Sequence, residues 1–476
     1  MIFLIFSSIE FLLWFLPIFL IVYGITPRKY RNLTLLVGSI VFYAMGDVRY
    51  LPLLMISILC NYFLGLHLAK RSPKTLWRKK LLLILTLGAN LAVLLWFKDW
   101  GGSAGLPLGI SFYTFQILSY QIDVYRGEVS REYSFLKFAT YVSMFPKLIS
   151  GPITRYGDIS DSLTERTFTV RGLEDGMKLF ILGLAAKVLL ADRVGILWHE
   201  VQVTGFESIS TPLAWLAAIA YSMEIYFDFW GYSLMAMGLG RMMGIELPAN
   251  FRRPYMARSV RDFYRRWHMT LGQWFCRYVY IPLGGSRQGE LRTIFNLLVV
   301  WMLTGIWHGA GWNFALWGLY FGVFLSAEKL IGKKWKERSF KIADISANND
   351  RNGGDRENMF LTCVRNIIEH GYVLLVVLFS FVIFRVESVR EIKEQFLGLA
   401  GSYGNAMTPM AAYEIKSYLI LLLIACAGAT PFPAMWVQRL KNTNMWKKSG
   451  WLLQSCYILT GLVLATAFLL GSSVHP

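Results

Sequence analysis

Two histidines are the residues of this chain best placed to do chemistry. His308 lies in Trp307-His308-Gly309-Ala310-Gly311, between an apolar run over 294–306 and a second that starts at Trp312. Gly305, Gly309 and Gly311 weaken helix on both sides of it and open the backbone to close approach. An imidazole among apolar helices is costly to desolvate, so His308 is expected to face a cavity, a partner or a reacting group. His268 lies upstream, in FRRPYMARSVRDFYRRWHMTLGQWFCRYVYIPLGGSR, residues 251–287. Val260, Phe263, Trp267, Leu271, Trp274 and Tyr278 recur there at three- and four-residue steps, which predicts one amphipathic helix. Arg261, Arg265 and His268 share the adjacent face, and Arg252, Arg253, Arg258, Arg266 and Arg277 add charge against a single acid, Asp262. Such a helix is expected to lie at a membrane surface. Its basic, aromatic face would equally suit a phosphate-bearing acyl donor or an anionic polymer.

Acyl transfer to a hydroxyl suits such a pair: one imidazole near neutral pKa as general base, with donors facing the developing oxyanion. The plainer alternative is a buried histidine bonded to a backbone carbonyl, and a basic helix held by lipid headgroups. No HExxH and no CxxC is present, and Cys60, Cys276, Cys363, Cys426 and Cys456 are scattered. No metal site or disulfide framework is therefore expected. Neither a serine elbow nor a Walker glycine pattern occurs. Glu224 and Asp228, four residues apart in the apolar run 212–237, form an acidic stripe expected to pair with arginines of a neighbouring segment.

What must hold these residues is a membrane-embedded helical scaffold. Of 476 residues, 55% are hydrophobic and 16% aromatic, and mean hydropathy is +0.44. Apolar runs long enough to cross a bilayer recur from end to end, about eleven on a ~20-residue span; barrel-type alternation is absent. The formal charge of +18 sits in the short connections, the positive-inside pattern, so a nucleic-acid partner is not expected. The first run, 9–25, has no basic start or small-residue cleavage site and reads as a retained span. Basic clusters at 27–31 and 70–80 flank two crossings, which puts both in the cytoplasm and the N-terminus and the loop 100–105 outside. The run 106–124 carries Ser111, Tyr113, Thr114, Gln116, Ser119, Tyr120, Gln121 and Asp123. It is too polar for lipid and belongs inside the bundle. Pro146, Gly151 and Pro152 break the apolar segment around 145–152, so a broken or re-entrant element is expected there. A hydrophilic insert covers 332–366, with loop or disorder over 347–356. No internal repeat is visible, and one integral-membrane domain over 1–476 is expected.

Several runs, in order, resemble the membrane-bound O-acyltransferase family, within it the branch that includes the alginate O-acetylation membrane protein. They are Leu108-Gly109-Ile110-Ser111-Phe112-Tyr113-Thr114-Phe115-Gln116, Ile122-Asp123-Val124-Tyr125-Arg126-Gly127-Glu128 and Phe145-Pro146-Lys147-Leu148-Ile149-Ser150-Gly151-Pro152-Ile153. Tyr226-Phe227-Asp228-Phe229 with Gly231-Tyr232-Ser233, Arg266-Trp267-His268-Met269-Thr270-Leu271, Tyr280-Ile281-Pro282-Leu283-Gly284-Gly285 and Trp307-His308-Gly309 complete the set, over 108–311. The resemblance implies a bundle of spans around a tunnel, an acyl donor reached from the cytoplasm, and an acyl group passed outward. It implies that His308 matches the essential catalytic histidine and His268 the second conserved polar position. Substrate and donor contacts are expected from Arg265, Arg266, Trp267, Trp274, Arg277, Tyr280, Trp307 and Asp228. Two positions depart from the family's pattern: Cys276-Arg277 stand where Arg-Asp is common, and Leu234 where Asp is frequent.

The expected protein is thus an all-α polytopic O-acyltransferase of the cell membrane. It would move acetyl from acetyl-CoA, with no bound cofactor, towards an extracytoplasmic polysaccharide or a partner acetylase. D-alanyl transfer from a carrier protein to teichoic acid is the alternative within the class. A transporter or flippase is the alternative outside it, since broken helices with intramembrane polar groups also build transport sites.

Overall fold

A computed structural model describes residues 5–69, 76–100, 105–346, 355–404 and 406–474. Among the described residues the secondary structure is helical, with no β-strand. The helices in chain order are α1 (Leu16–Ile25), α2 (Arg31–Asp47), α3 (Leu51–Leu68), α4 (Leu76–Leu95), α5 (Ile110–Arg126), α6 (Phe135–Ser143) and α7 (Phe145–Leu148). Then come α8 (Tyr156–Thr164), α9 (Val170–Ala185), α10 (Asp192–Thr204), α11 (Thr211–Met242), α12 (Val260–Tyr264), α13 (Met269–Phe275), α14 (Glu290–His308) and α15 (Trp312–Ser346). The rest are α16 (Asp355–Arg385), α17 (Val389–Leu399), α18 (Pro409–Gly428), α19 (Phe432–Lys441) and α20 (Asn444–Val474). Short π-helical turns adjoin four of them, at Phe11–Phe15, Trp96–Trp100, Ala186–Ala191 and Cys276–Tyr280.

Seven segments among the described residues are long and apolar enough to span a bilayer: 28–68, 76–98, 290–308, 312–332, 362–385, 409–428 and 452–471. The chain is a multi-pass membrane protein. The helices over 110–126, 170–185 and 211–242, counted as crossings from the sequence, are not among the seven. Of the three, the helix over 110–126 carries most of the buried polar residues.

The chain divides into two compact units, each assembled from segments distant in sequence. The first comprises 1–193, 225–250 and 439–476. Phe11, Phe15, Phe19 and Phe42 surround Phe145 at centroid distances of 5.1–6.3 Å. Phe145 reaches them because the helix stops at Ser143, Met144 is extended, and α7 restarts with Pro146 in its first turn. The break expected from the two prolines is present. Gly151 packs so tightly that a Cβ there would lie 2.4 Å from the Lys147 Cα. The polar helix α5 is buried as expected, with Thr114, Gln116, Ser119, Gln121 and Asp123 all within the unit. Gln121 donates to the Asn61 carbonyl at 2.7 Å, and the Tyr141 hydroxyl donates to the Gln116 carbonyl at 3.1 Å.

The second unit comprises 194–224 and 251–438. Its spine is α14 against α15. Leu298 meets Gly322, Trp301 meets Gly318 and Phe321, and Gly305 meets Phe314, a falling-against-rising register that makes the pair antiparallel. A Cβ on Gly305 would lie 2.3 Å from the Phe314 carbonyl oxygen, and one on Gly318 2.5 Å from that of Trp301. Small residues at a membrane helix crossing permit this approach. Helix α16 lies along α15, tied by Asn313 Nδ2 to the Phe384 carbonyl at 2.8 Å and the Tyr320 hydroxyl to that of Val376 at 2.9 Å.

Three expectations are corrected. The single amphipathic helix over 260–278 is two helices, α12 and α13, with non-helical backbone between them. The Arg266 carbonyl accepts from Arg252 N at 2.9 Å, an acceptor the ladder would need for residue 270. The stripe residues are all buried nonetheless, from Val260 at 0% to Tyr278 at 8% exposure. In the insert 332–366, α15 and α16 extend through much of the hydrophilic sequence, Asp355 and Arg356 included; the loop expected over 347–354 lies outside the described residues. Finally, Asp228 pairs with a lysine, not an arginine: Lys187 Nζ stands 2.6 Å from both Asp228 and Asp192. Of the basic cluster 70–80, residues 70–75 lie outside the described residues, as do 101–104 of the loop 100–105.

Candidate active site

His308 is the last residue of α14. Its imidazole is half-buried in an aromatic frame: Trp307 at 4.8 Å, Trp317 at 5.1 Å and Phe384 at 5.1 Å between centroids, all edge-on. The frame follows from the break. Gly309 is extended, which ends the helix, and a Cβ there would collide with the Phe314 ring at 2.2 Å. The chain then reverses into α15, whose first turns supply Phe314 and Trp317.

His268 sits at the joint between α12 and α13 with φ 42° and ψ 52°, the left-handed region that non-glycine residues adopt at a cost. Only Arg253 shares a positive φ among the described non-glycine residues. His268 is 4% exposed, so it is a buried residue at a strained corner, and the expected place on an interfacial helix face is not where it lies. Burial pushes its imidazole down to about 3, which leaves the ring neutral at pH 7. The Trp307 ring lies 6.1 Å from His268 and 4.8 Å from His308, a shared wall between the two.

Both histidines line one cavity of about 500 Å³, with Arg261, Tyr264, Arg265, Trp267, Gln273, Tyr280, Ser286, Trp301, Thr304, Trp317 and Lys329. Its lining holds three basic side chains, Arg261, Arg265 and Lys329, and no carboxylate. Among the described residues none of the three is ion-paired. The corner is braced from outside: Glu328 accepts from the backbone N–H of Val260 at 2.6 Å and of Arg261 at 3.1 Å, capping α12. Apolar walls with a few convergent polar groups are the usual make-up of a small-molecule site.

Of the residues expected from the sequence, His268, His308, Arg265, Trp267 and Tyr280 come together here, with Trp307 behind the two histidines. Arg266 turns to Asp262, its Nε 3.0 Å from both carboxylate oxygens. Trp274 packs against Tyr278 at 5.1 Å, and neither it nor Arg277 lines the cavity. Asp228 belongs to the first unit, on Lys187. Tyr264, Gln273, Thr304 and Lys329 were not foreseen; Lys329 and its neighbour Glu328, charged residues at the end of an apolar run, were the available signal. Among the described residues no group of three or more His, Cys, Asp or Glu side chains is placed to hold a metal ion.

The family model for MBOAT, the membrane-bound O-acyltransferase family, matches residues 66–346. The chain is 36% identical over 412 residues to the probable alginate O-acetylase AlgI of Pseudomonas fluorescens, covering 84% of this chain and 76% of that protein. It is 35% identical over 395 residues to the peptidoglycan O-acetyltransferase of Helicobacter pylori, covering 72% and 74%. Similarity to the teichoic acid D-alanyltransferase of Streptococcus thermophilus is weaker, 28% over 258 residues, 49% of this chain and 61% of that one. With more than half its length matched by the family model and its histidines sharing one cavity, the chain belongs to the membrane-bound O-acyltransferase family.

Proposed function

We propose that the protein carries acetyl from acetyl-CoA to an extracytoplasmic polysaccharide, or to a partner acetylase that passes it on. The observation that carries this reading is the cavity itself: two imidazoles inside, three uncompensated cations in its lining, no acid. A phosphate-bearing thioester donor complements those cations. His308 takes the proton from an acceptor hydroxyl as that oxygen attacks the thioester carbonyl. The C–S bond breaks, and the proton passes to the departing thiolate. His268, neutral and held at its strained corner, orients the reacting groups. Arg261, Arg265 and Lys329 hold the donor's anionic end. The basic clusters then face the cytoplasm, where the donor is made, and the N-terminus lies outside, in the cell membrane.

The acceptor class follows the named activities of the P. fluorescens and H. pylori relatives, both O-acetylating proteins. Membranes containing the protein, given acetyl-CoA labelled in the acetyl group, are expected to place label on polymer or partner. Label that stays on CoA while a solute crosses the membrane would favour a transporter. Transfer that requires a D-alanine-loaded carrier protein would favour the D-alanyl reading.

A further inference from the structure

In the first unit, which holds none of the residues given catalytic roles, two arginines share one tyrosine. Arg31 opens α2, and Arg166 lies in the link between α8 and α9. Their guanidinium carbons stand 5.8 and 5.7 Å from the centroid of the Tyr23 ring, and Arg31 also lies 5.5 Å from that of Phe168. Each arginine is only 9% exposed. The frame around them is fixed: the Tyr23 hydroxyl donates to the Met243 carbonyl at 2.8 Å, and Asn32 Nδ2 to that of Leu163 at 2.8 Å. Asn32 Oδ1 accepts from Arg166 Nη2 at 2.7 Å, and the Thr26 carbonyl from Arg31 Nε at 3.4 Å.

Among the described residues neither arginine is ion-paired, and Nη1 of each is buried with no hydrogen-bond partner. Burial pushes the Arg166 guanidinium below its usual value, and the neighbouring Arg31 charge pushes the same way. Two like charges brought together in partial burial are costly unless an opposite charge joins them. Buried structural arginines are ordinarily paired with carboxylates; here two forks converge on aromatic faces with donors to spare.

The geometry points to a binding site for a phosphate group between Arg31 and Arg166, walled by Tyr23 and Phe168. Paired guanidinium forks match the oxygens of a phosphate mono- or diester. The site lies where α1 ends and the 28–68 span begins, so a phospholipid headgroup and a soluble phosphate are the two sources of that chemistry.

The test follows the unfolding temperature of the purified full chain in uncharged detergent. One arm adds phosphatidylglycerol to micelles of that detergent, which carries no phosphate; the other adds inorganic phosphate against chloride at equal ionic strength. The wild type is expected to be stabilised in at least one arm, with an apparent affinity about tenfold or more above that of the double variant R31Q/R166Q. A response to lipid alone assigns a headgroup, and a response to inorganic phosphate a soluble ligand. No response in either arm, or an equal response from the double variant, overturns the proposal. Should the double variant not fold, R166K replaces it: loss of the fork at retained charge should weaken binding, and unchanged binding overturns the site.

Discussion

The cluster around Lys187 and the cavity around His308 place cations beside polar groups in opposite ways. Lys187 meets two carboxylates, Asp192 and Asp228, each at 2.6 Å. The charges are answered by the chain itself, so the cluster needs nothing from outside. In the cavity, Arg261, Arg265 and Lys329 line a space with no carboxylate at all. Arg261 and Arg265 are exposed, so water solvates them, and an anion that binds there stabilises the folded protein by its own binding. The first arrangement is read as scaffold and the second as site, although the sequence shows both simply as charged residues near apolar runs.

The difference breaks most sharply at His308. H308A should lower transfer by ~10²–10⁴-fold, the usual share of a general base, with the unfolding temperature in detergent close to wild type. K187M should do the reverse. Two carboxylates lose their common partner, and stability should fall by roughly 1–3 kcal/mol, between the limits for exposed and buried pairs. Acetyl transfer per folded molecule should stay unchanged, and a loss of transfer at intact stability would move Lys187 into the site. Replacing the cavity cations, R261Q/R265Q, is expected to raise KM for acetyl-CoA about tenfold with kcat nearly constant, as for lost ground-state binding. A kcat loss at constant KM would instead place them on the reacting atoms. The smallest effect is that of salt: KM of the wild type should rise a few-fold from low to physiological ionic strength, and that of R261Q/R265Q should rise less.

The histidines show what a sequence can and cannot carry. His308 was legible because glycines and apolar runs mark a helix break directly in the residues. His268 was legible as a residue but not as a place. Its neighbours repeat with helical period on both sides, and burial of Val260, Phe263, Leu271 and Trp274 satisfies that period whether the helix is whole or cut. The cut depends on Arg252, which takes the Arg266 carbonyl, a contact no periodicity reports. Arg277 fell out of the cavity for a related reason, since breaking the helix re-aims the side chains beyond the break, whereas Arg266 is held by Asp262 four residues earlier, a pairing the helical period allows whether the helix is whole or cut. Interior helices such as α5 were readable because polar residues have no place in lipid. The partner of Asp228 was not, since which of several cations answers an acid depends on tertiary placement. Lys329 and Tyr264 reach the cavity only once α12 and α15 are packed together, which composition alone does not express.

The π-helical turn over Cys276–Tyr280 has a consequence for how this family can change. Such a turn holds one residue more than an α-helix would over the same length. Tyr280 is its last residue and lines the cavity. Deleting a single residue within 276–279 would let the helix close into regular α geometry. The residue lost would be the extra one, so the chain after it would keep its register, and Tyr280 would stay at the cavity wall. The same deletion in the regular α-helix over Met269–Phe275 would turn everything after it by about 100°, the angle per residue. This short segment is therefore a place where the chain can lose a residue and keep its cavity wall.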